Sequence, residues 1–368
     1  MYGYDAGLGI SLPIHGRGAS DNPANRFDPI DVVFDEESEI DPAEAPSPKT
    51  VYLRDASRSI LASNDSPDVM IEASINPYRG CEHGCVYCYA RPTHEYFGLS
   101  AGLDFETKIF VKDRAAELLR EELMKKSYTP KVISISGVTD CYQPIERKLQ
   151  ITRRCLQVLA EFRNPCGVIT KNHLVTRDID VLRELAEMNL VVVFLSITTL
   201  DQELQRVLEP RTSTPARRLA AVEALAKAGI RVGVMVAPVI PGLTDHEMPA
   251  IVKAAADAGA QSAGYVPVRL PFAVKDLFAD WLEKHYPQRK NKVLNQIRSM
   301  RGGKLNVSEF HTRMRGEGPL AEQLSRLFKV ATQRAALSDE LPPLARDLFS
   351  RPPGANEQMP LWGDGAGA

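Results

Sequence analysis

Asn76-Pro-Tyr-Arg-Gly-Cys81-Glu-His-Gly-Cys85-Val-Tyr-Cys88-Tyr-Ala90 sets three cysteines at C-x3-C-x2-C spacing in one short loop, with glycines at 80 and 84. Thiolates so close in sequence can turn inward around one soft metal centre. Zinc is the alternative, but a closed structural zinc site takes four ligands. The next cysteine, Cys141, lies more than fifty residues on, and no second C-x2-C follows. Three thiolates suit a [4Fe-4S] cluster with one iron left open to an exogenous ligand.

Outward from this loop, short β-branched runs alternate with segments whose apolar residues recur at helical spacing. The predicted strands are Val69–Ile75, Val132–Ser136, Gly167–Thr170, Val191–Ile197, Val232–Val239 and Ala263–Val268. The predicted helices between them are Asp113–Lys126, Glu146–Arg163, Asp178–Asn189, Thr214–Ala228 and Asp245–Ala258. Thr214-Pro215 opens one helix, and Gly229 and Gly259 close two. Such alternation predicts an α/β fold, a partial (β/α)6 TIM-type barrel with helices outside a parallel sheet. Barrel chemistry gathers at the C-terminal ends of the strands. The cysteine loop directly follows the first strand and falls on that face.

Four divisions are expected. Residues 1–65 hold eight carboxylates and no Lys or Arg between Asp28 and Glu44. They read as a flexible acidic arm, because such a segment buries too little apolar surface to offset its ordering entropy. The alternative is that Asn25-Arg-Phe27 and Val32-Val-Phe34 dock on the barrel as a cover. Residues 66–270 form the barrel and 271–337 a helical basic extension with helices at Val274–His285, Lys290–Met300 and Pro319–Ala336. Residues 338–368, with Pro342-Pro343, Pro352-Pro353 and a Gly/Ala end, read as a disordered tail.

Global charge is nearly balanced, 45 basic against 47 acidic residues, so only local patches can argue for nucleic acid. The N-terminus lacks a basic stretch followed by an apolar run. The longest apolar run, Leu190–Leu195, is too short to span a bilayer. Six cysteines, three of them clustered, read as a reducing compartment with a metal site rather than a disulfide framework. A cytoplasmic protein without membrane contacts is expected.

The cysteine loop, with aromatic Tyr87 before the third cysteine, resembles the signature of the radical S-adenosylmethionine (SAM) superfamily. Over roughly residues 68–270 the strand-end sequences are similar to its spore photoproduct lyase-like branch. Arg91-Pro-Thr-His94-Glu-Tyr96 and Thr107-Lys-Ile-Phe-Val-Lys112 resemble the non-spore bacterial members of that branch. The resemblance implies that Cys81, Cys85 and Cys88 ligate iron, that the open iron chelates SAM, and that one electron yields a 5'-deoxyadenosyl radical. A flavodoxin or ferredoxin would supply that electron.

The same resemblance implies roles for other residues. Tyr87 and Tyr89 would stand near the adenosine and take part in radical return. Asp140 would meet the SAM ammonium group and Lys171 its carboxylate. Ser196 would meet the ribose or methionine part, and Ala237 would line the adenine pocket. Each has a plainer alternative: Lys171 as a surface lysine, Ser196 as strand-exit capping, Ala237 as packing. Cys141 is either the thiol returning hydrogen to product or a buried small hydrophobe. In the lyases that thiol lies a few residues earlier, where this chain carries Gly137. Cys155 and Cys166 read as core. His94 is either near the active face or packed, and Glu209-Pro-Arg211-Thr-Ser-Thr214 either gates substrate or starts a helix.

Outside the barrel, Lys284–Arg315 holds nine Lys/Arg against one carboxylate, Glu309. Arg289, Lys290, Lys292, Arg298 and Arg301, with interleaved Tyr286, Phe310 and His311, read as a DNA-binding face or as a solvated basic helix. Gln358, Leu361 and Trp362 resemble the short peptides by which bacterial repair proteins engage the sliding clamp. Equal clamp recovery by a chain carrying Leu361→Ala and Trp362→Ala would remove that expectation. The leading expectation is a radical SAM enzyme acting on damaged DNA. Modification of RNA, protein or a small molecule is the second. The third is a DNA- or clamp-tethered binding protein with a structural cluster.

Overall fold

In the computed structural model, which describes residues 14–27, 47–69, 71–338 and 341–352, the strand–helix alternation folds into one large parallel sheet wrapped by helices. The strands are β1 (Val51–Arg54), β2 (Leu61–Ser63), β3 (Ala73–Ile75), β4 (Tyr78–Arg79), β5 (Lys108–Val111), β6 (Ile133–Ile135), β7 (Cys166–Thr170), β8 (Val191–Ser196), β9 (Val232–Val239) and β10 (Ser262–Pro267). Six of them run parallel in the order β3-β6-β7-β8-β9-β10, and β2 adds antiparallel to β3. Among the described residues β2 and β10 do not pair, so the barrel is open. Each of the six strands lies at a run predicted from its β-branched residues. In β8, Val191, Val193 and Leu195 are fully buried and share the main apolar core with Leu182, Leu185, Val222 and Leu225 of the outer layer.

The outer layer contains α1 (Leu103–Thr107), α2 (Ala115–Met124), α3 (Glu146–Leu149), α4 (Ile151–Glu161), α5 (Ile179–Glu187), α6 (Gln202–Leu208), α7 (Pro215–Lys227) and α8 (Met248–Asp257). Pro215 begins α7 as expected, and Gly229 and Gly259 take positive φ angles after α7 and α8. The helix expected over 146–163 is instead broken. Gln150 is left-handed (φ 52°), and the Glu146 carboxylate turns back to accept from the Ile151 and Thr152 amides at 3.0 and 3.1 Å. It thereby caps α4 where periodicity showed only continuity.

The extension is α9 (Val274–His285), α10 (Pro287–Ser299), α11 (Thr312–Arg315) and α12 (Gly318–Arg334). Leu277, Phe278, Trp281 and Leu282 of α9 share an apolar core with Val86, Tyr87, Leu204 and Leu208, so the extension backs the cysteine loop.

Two findings depart from the expected flexible ends. Arg17, Gly18 and Ala19 are buried, and Asn25 donates to the Glu95 and Leu99 carbonyls at 3.0 and 2.9 Å. Val51–Arg54 forms β1, parallel to β5, which β4 joins from the other side. The acidic run 28–46, including Val32-Val-Phe34, lies outside the described residues. At the other end, residues 341–352 pack across the N-terminal ends of the barrel strands. Pro342 O accepts from Arg231, Ala345 N donates to Asn189 O and Ser350 N to Phe162 O, and Arg351 reaches the Tyr128 carbonyl. Phe349 stacks against Tyr128 and Phe162. The Pro-Pro pairs concealed this anchoring, which rests on one aromatic side chain and tertiary hydrogen bonds.

Candidate active site

From β3 the chain turns through β4 and enters the cysteine loop at Gly80, whose φ is +78°. A Cβ there would stand 2.8 Å from the His94 ring and 2.9 Å from the Phe105 carbonyl. The loop is held from three sides. Cys81 N donates to Phe105 O at 2.9 Å. Gln143 donates to Gly80 O at 3.2 Å and accepts from Glu82 N at 3.0 Å. Beneath it Arg91, fully buried, donates to Cys85 O, Gly84 O and the Glu106 carboxylate at 3.0, 3.3 and 2.5 Å. Glu106 in turn accepts from the Gly18 and Ala19 amides, which binds the N-terminal segment to the loop's underside.

Cys81 and Cys85 are buried, Cys88 is partly exposed, and all three are free thiols. Burial pushes each thiol above its ordinary range; for Cys81 the Asp140 carboxylate and the other two sulfurs add to that rise. Three thiolates crowded in a buried site repel one another, and a bound cationic cluster removes that cost. Among the described residues no three of Cys, His, Asp and Glu converge closely enough to hold one metal ion. A cubane takes each thiolate on a different iron and accepts wider spacing. The donor set therefore fits a four-iron cluster.

Facing the loop are the C-terminal ends of the barrel strands. Lys171, just past β7, donates from Nζ to Ala237 O at 2.8 Å and Thr198 Oγ1 at 3.2 Å, and pairs with Glu209 at 3.3 Å. Its ammonium lies 5.8 Å from the Tyr87 ring centroid. Glu209 is wholly buried and also accepts from Thr198, the Tyr87 hydroxyl and Arg218. Although burial opposes it, the Arg218 and Lys171 charges hold its carboxyl well below the carboxylate range. Arg218, also buried, donates to the Ser196 carbonyl at 2.9 Å. Lys171, Tyr87, Ser196 and Ala237 thus meet in one network whose centre, Glu209, belongs to the loop expected either to gate substrate or to start a helix. Its one signal was a carboxylate beside Pro210 after a barrel strand.

Asp140 accepts from Thr170 Oγ1, the Lys171 amide and the Tyr142 amide at 2.7, 2.8 and 2.9 Å, and lies 3.4 Å from the His83 ring. Against the effect of burial, His83 and these donors keep its carboxyl below the usual range. With its oxygens bound within its own chain, Asp140 links the segment after β6 to β7 and the cysteine loop. Tyr89 is half exposed and donates to Gly137 O at 2.8 Å. Cys141, offered as a hydrogen donor, is fully buried in the main apolar core, its carbonyl bound by Thr152. Its thiol is shielded from solvent. His94 is likewise packed among Phe97, Phe105 and Phe110.

The basic extension divides. Arg289 and Lys292 are exposed, Lys290 pairs with Glu283 at 2.9 Å, and Arg298 donates to Asn295 at 3.0 Å. Arg301, expected on the DNA face, is buried and donates to Val268 O at 2.7 Å and Arg313 O at 3.2 Å. It ties the extension to the end of β10, so its charge is spent on carbonyls. Gln358, Leu361 and Trp362 lie outside the described residues.

Residues 75–255 match the model of the Radical SAM superfamily. The chain carries a radical SAM domain. Enzymes of this family use a [4Fe-4S] cluster and SAM, and the three-thiol loop supplies the donor set. An uncharacterised protein of Mycobacterium tuberculosis is 36% identical over 217 residues, 58% of this chain and 64% of that one. Another from Methanocaldococcus jannaschii is 30% identical over 173 residues, 47% of this chain and 62% of that one. The chain thus spans less than two thirds of these relatives. Among solved structures, a spore photoproduct lyase complexed with dinucleoside spore photoproduct shares the fold. It has a TM-score of 0.56 and 17% identity, over 77% of this chain and 79% of that one. A lyase variant with bound AdoMet and the same dinucleoside matches at 0.55 and 18%, over the same shares. The radical SAM domain covers β3 through α8. Among the described residues no helix is long and apolar enough to cross a membrane.

Proposed function

We propose that this radical SAM enzyme carries out a lyase-type repair of damaged DNA. The observation that carries the proposal is the three-thiol loop at the C-terminal end of β3, held opposite the Lys171–Glu209–Tyr87 network. When bound, the cluster and SAM supply a 5'-deoxyadenosyl radical, with flavodoxin or ferredoxin as reductant. Cys81, Cys85 and Cys88 hold the cluster, and Arg91 and Gln143 keep their loop from shifting. Lys171 supplies a cation for the SAM carboxylate at a strand end that Asp140 positions. With Cys141 turned into the core, the half-exposed Tyr89 hydroxyl is the group left to return hydrogen to a product radical. Support for DNA comes from the fold shared with a lyase that binds a dinucleoside photoproduct, and from the exposed cations of α10.

The test uses anaerobically reconstituted, dithionite-reduced protein with SAM. 5'-Deoxyadenosine is measured with no DNA, undamaged DNA, and DNA carrying the spore-type photoproduct. Release that rises only with the lesion, together with restored thymines, is the expected result. Release indifferent to DNA would overturn repair and support the second reading, modification of RNA, protein or a small molecule. That reading draws on one observation, that Cys141 is buried in the apolar core, while the family resemblance sets the lyases' thiol at the position of Gly137. No release from a protein with an intact cluster would leave a structural cluster in a DNA- or clamp-tethered binding protein.

A further inference from the structure

Beside the cysteine loop a cavity of about 550 Å³ opens between the N-terminal segments and the loop after α6. His15, Arg17, Lys49 and Arg211 line it, with Glu82 as the one carboxylate in its wall among the described residues. Glu82 is already used: its carboxylate accepts from the Ile145 amide and the Tyr52 hydroxyl, each at 3.0 Å. Arg17 is buried, and among the described residues its guanidinium donates to neutral acceptors, the Glu106 and Pro48 carbonyls at 3.1 and 2.5 Å and Thr50 Oγ1 at 3.2 Å, with the Glu106 and Glu82 carboxylates near enough to act on its charge. Arg211 reaches the same Thr50 hydroxyl and Glu82, both at 3.3 Å. Both guanidinium groups reach the Thr50 hydroxyl and so share one space, and burial with the Arg211 charge lowers the Arg17 pKa against the opposing pull of Glu106 and Glu82. Buried charge is costly unless paired, and among the described residues this wall carries more positive charge than Glu82 balances.

We propose that the cavity is a binding site for a phosphate-class anion, either free phosphate or the phosphate of a nucleotide or strand. Two guanidinium forks, an ammonium and the Thr50 hydroxyl offer donors from several directions, which suits a tetrahedral oxyanion better than a planar carboxylate. The volume exceeds a bare phosphate and lies within the range of small-molecule sites. The site also touches the cluster loop, because Arg211 N donates to His83 O at 3.2 Å and its side chain pairs with Glu82, next to Cys81. An anion drawing Arg211 away from Glu82 would act on the segment that carries the cluster ligands. The proposal stands apart from the identity of the radical's substrate.

Calorimetry on the anaerobic holoprotein tests it, with inorganic phosphate, thymidine 5'-monophosphate, a short single-stranded oligonucleotide and acetate as separate titrants. The phosphate-bearing titrants are expected to bind and acetate not. Arg211→Gln and Lys49→Gln are each expected to weaken that binding at least tenfold. Both side chains are exposed, so these changes spare the fold, whereas buried Arg17 is left intact. Lys227→Gln, removing a distant exposed charge of α7, should change nothing. Equal binding of phosphate and mononucleotide identifies free phosphate as the ligand class. A tenfold preference for the mononucleotide identifies a nucleotide, and a further gain with the oligonucleotide identifies a strand's backbone. No binding of any phosphate titrant at millimolar concentration, or unchanged binding by Arg211→Gln, would overturn the proposal.

Discussion

Tyr89 and Cys141 compete for one chemical task, and their surroundings separate them. The Tyr89 hydroxyl is at the open face, while the Cys141 thiol is sealed in the core. Tyr89→Phe is expected to keep lesion-dependent 5'-deoxyadenosine formation. Product per 5'-deoxyadenosine should fall about tenfold, the effect of about 1.4 kcal/mol at the return step. Cys141→Ala should instead cost about 1 kcal/mol of stability and leave that ratio unchanged, as product analysis by chromatography would show. A lost ratio in Cys141→Ala would reverse the assignment. His94 offers a pH handle. Burial lowers its pKa from 6.5 to about 4. The unfolded chain therefore takes up a proton as pH falls through 6.5, and the folded one does not until about 4. Stability from the neutral ring is complete above 6.5 and declines toward pH 4, by about 3 kcal/mol in all. Urea titrations of apoprotein from pH 7 to 5 should show that slope, and His94→Asn should lack it.

At the scale of elements, α10 presents a narrower basic face than its composition implied. Of the named residues, Arg289 and Lys292 are exposed and, among the described residues, have no carboxylate partner. If they neutralise DNA phosphates, Arg289→Glu with Lys292→Glu should weaken binding. The slope of log affinity against log salt should also flatten by about one per lost contact. An unchanged slope would sink the idea. Element placement followed the sequence closely where periodicity alone decides: β9 and α9 run over the residues expected. It failed where side chains overrule periodicity, as at Gln150, where Glu146 turns back to cap α4.

The whole molecule has two unlike ends. Polar and charged groups gather where the strands finish, beside the cysteine loop. Residues 341–352 cover the opposite end, where barrels hold stability rather than chemistry. Phe349 is half-buried against Tyr128 and Phe162. Phe349→Ala should cost about 2 kcal/mol in urea unfolding, below the cost for a fully enclosed ring, and leave SAM cleavage intact. A loss of cleavage at unchanged stability would contradict that division. By itself the amino-acid sequence determined the three-thiol loop and the parallel barrel, because ligand spacing and hydrophobic period are local properties of the chain, while the SAM chemistry was legible only through the loop's resemblance to a family signature. Only tertiary structure decided that Glu209 and Arg218 underlie Lys171, that Arg91 and Glu106 lock the loop, and that Arg17 and Arg211 share a cavity. It likewise decided that Cys141 and Arg301 point inward. Those outcomes depend on which side chains meet across distant segments, and on which charges lose water when they do.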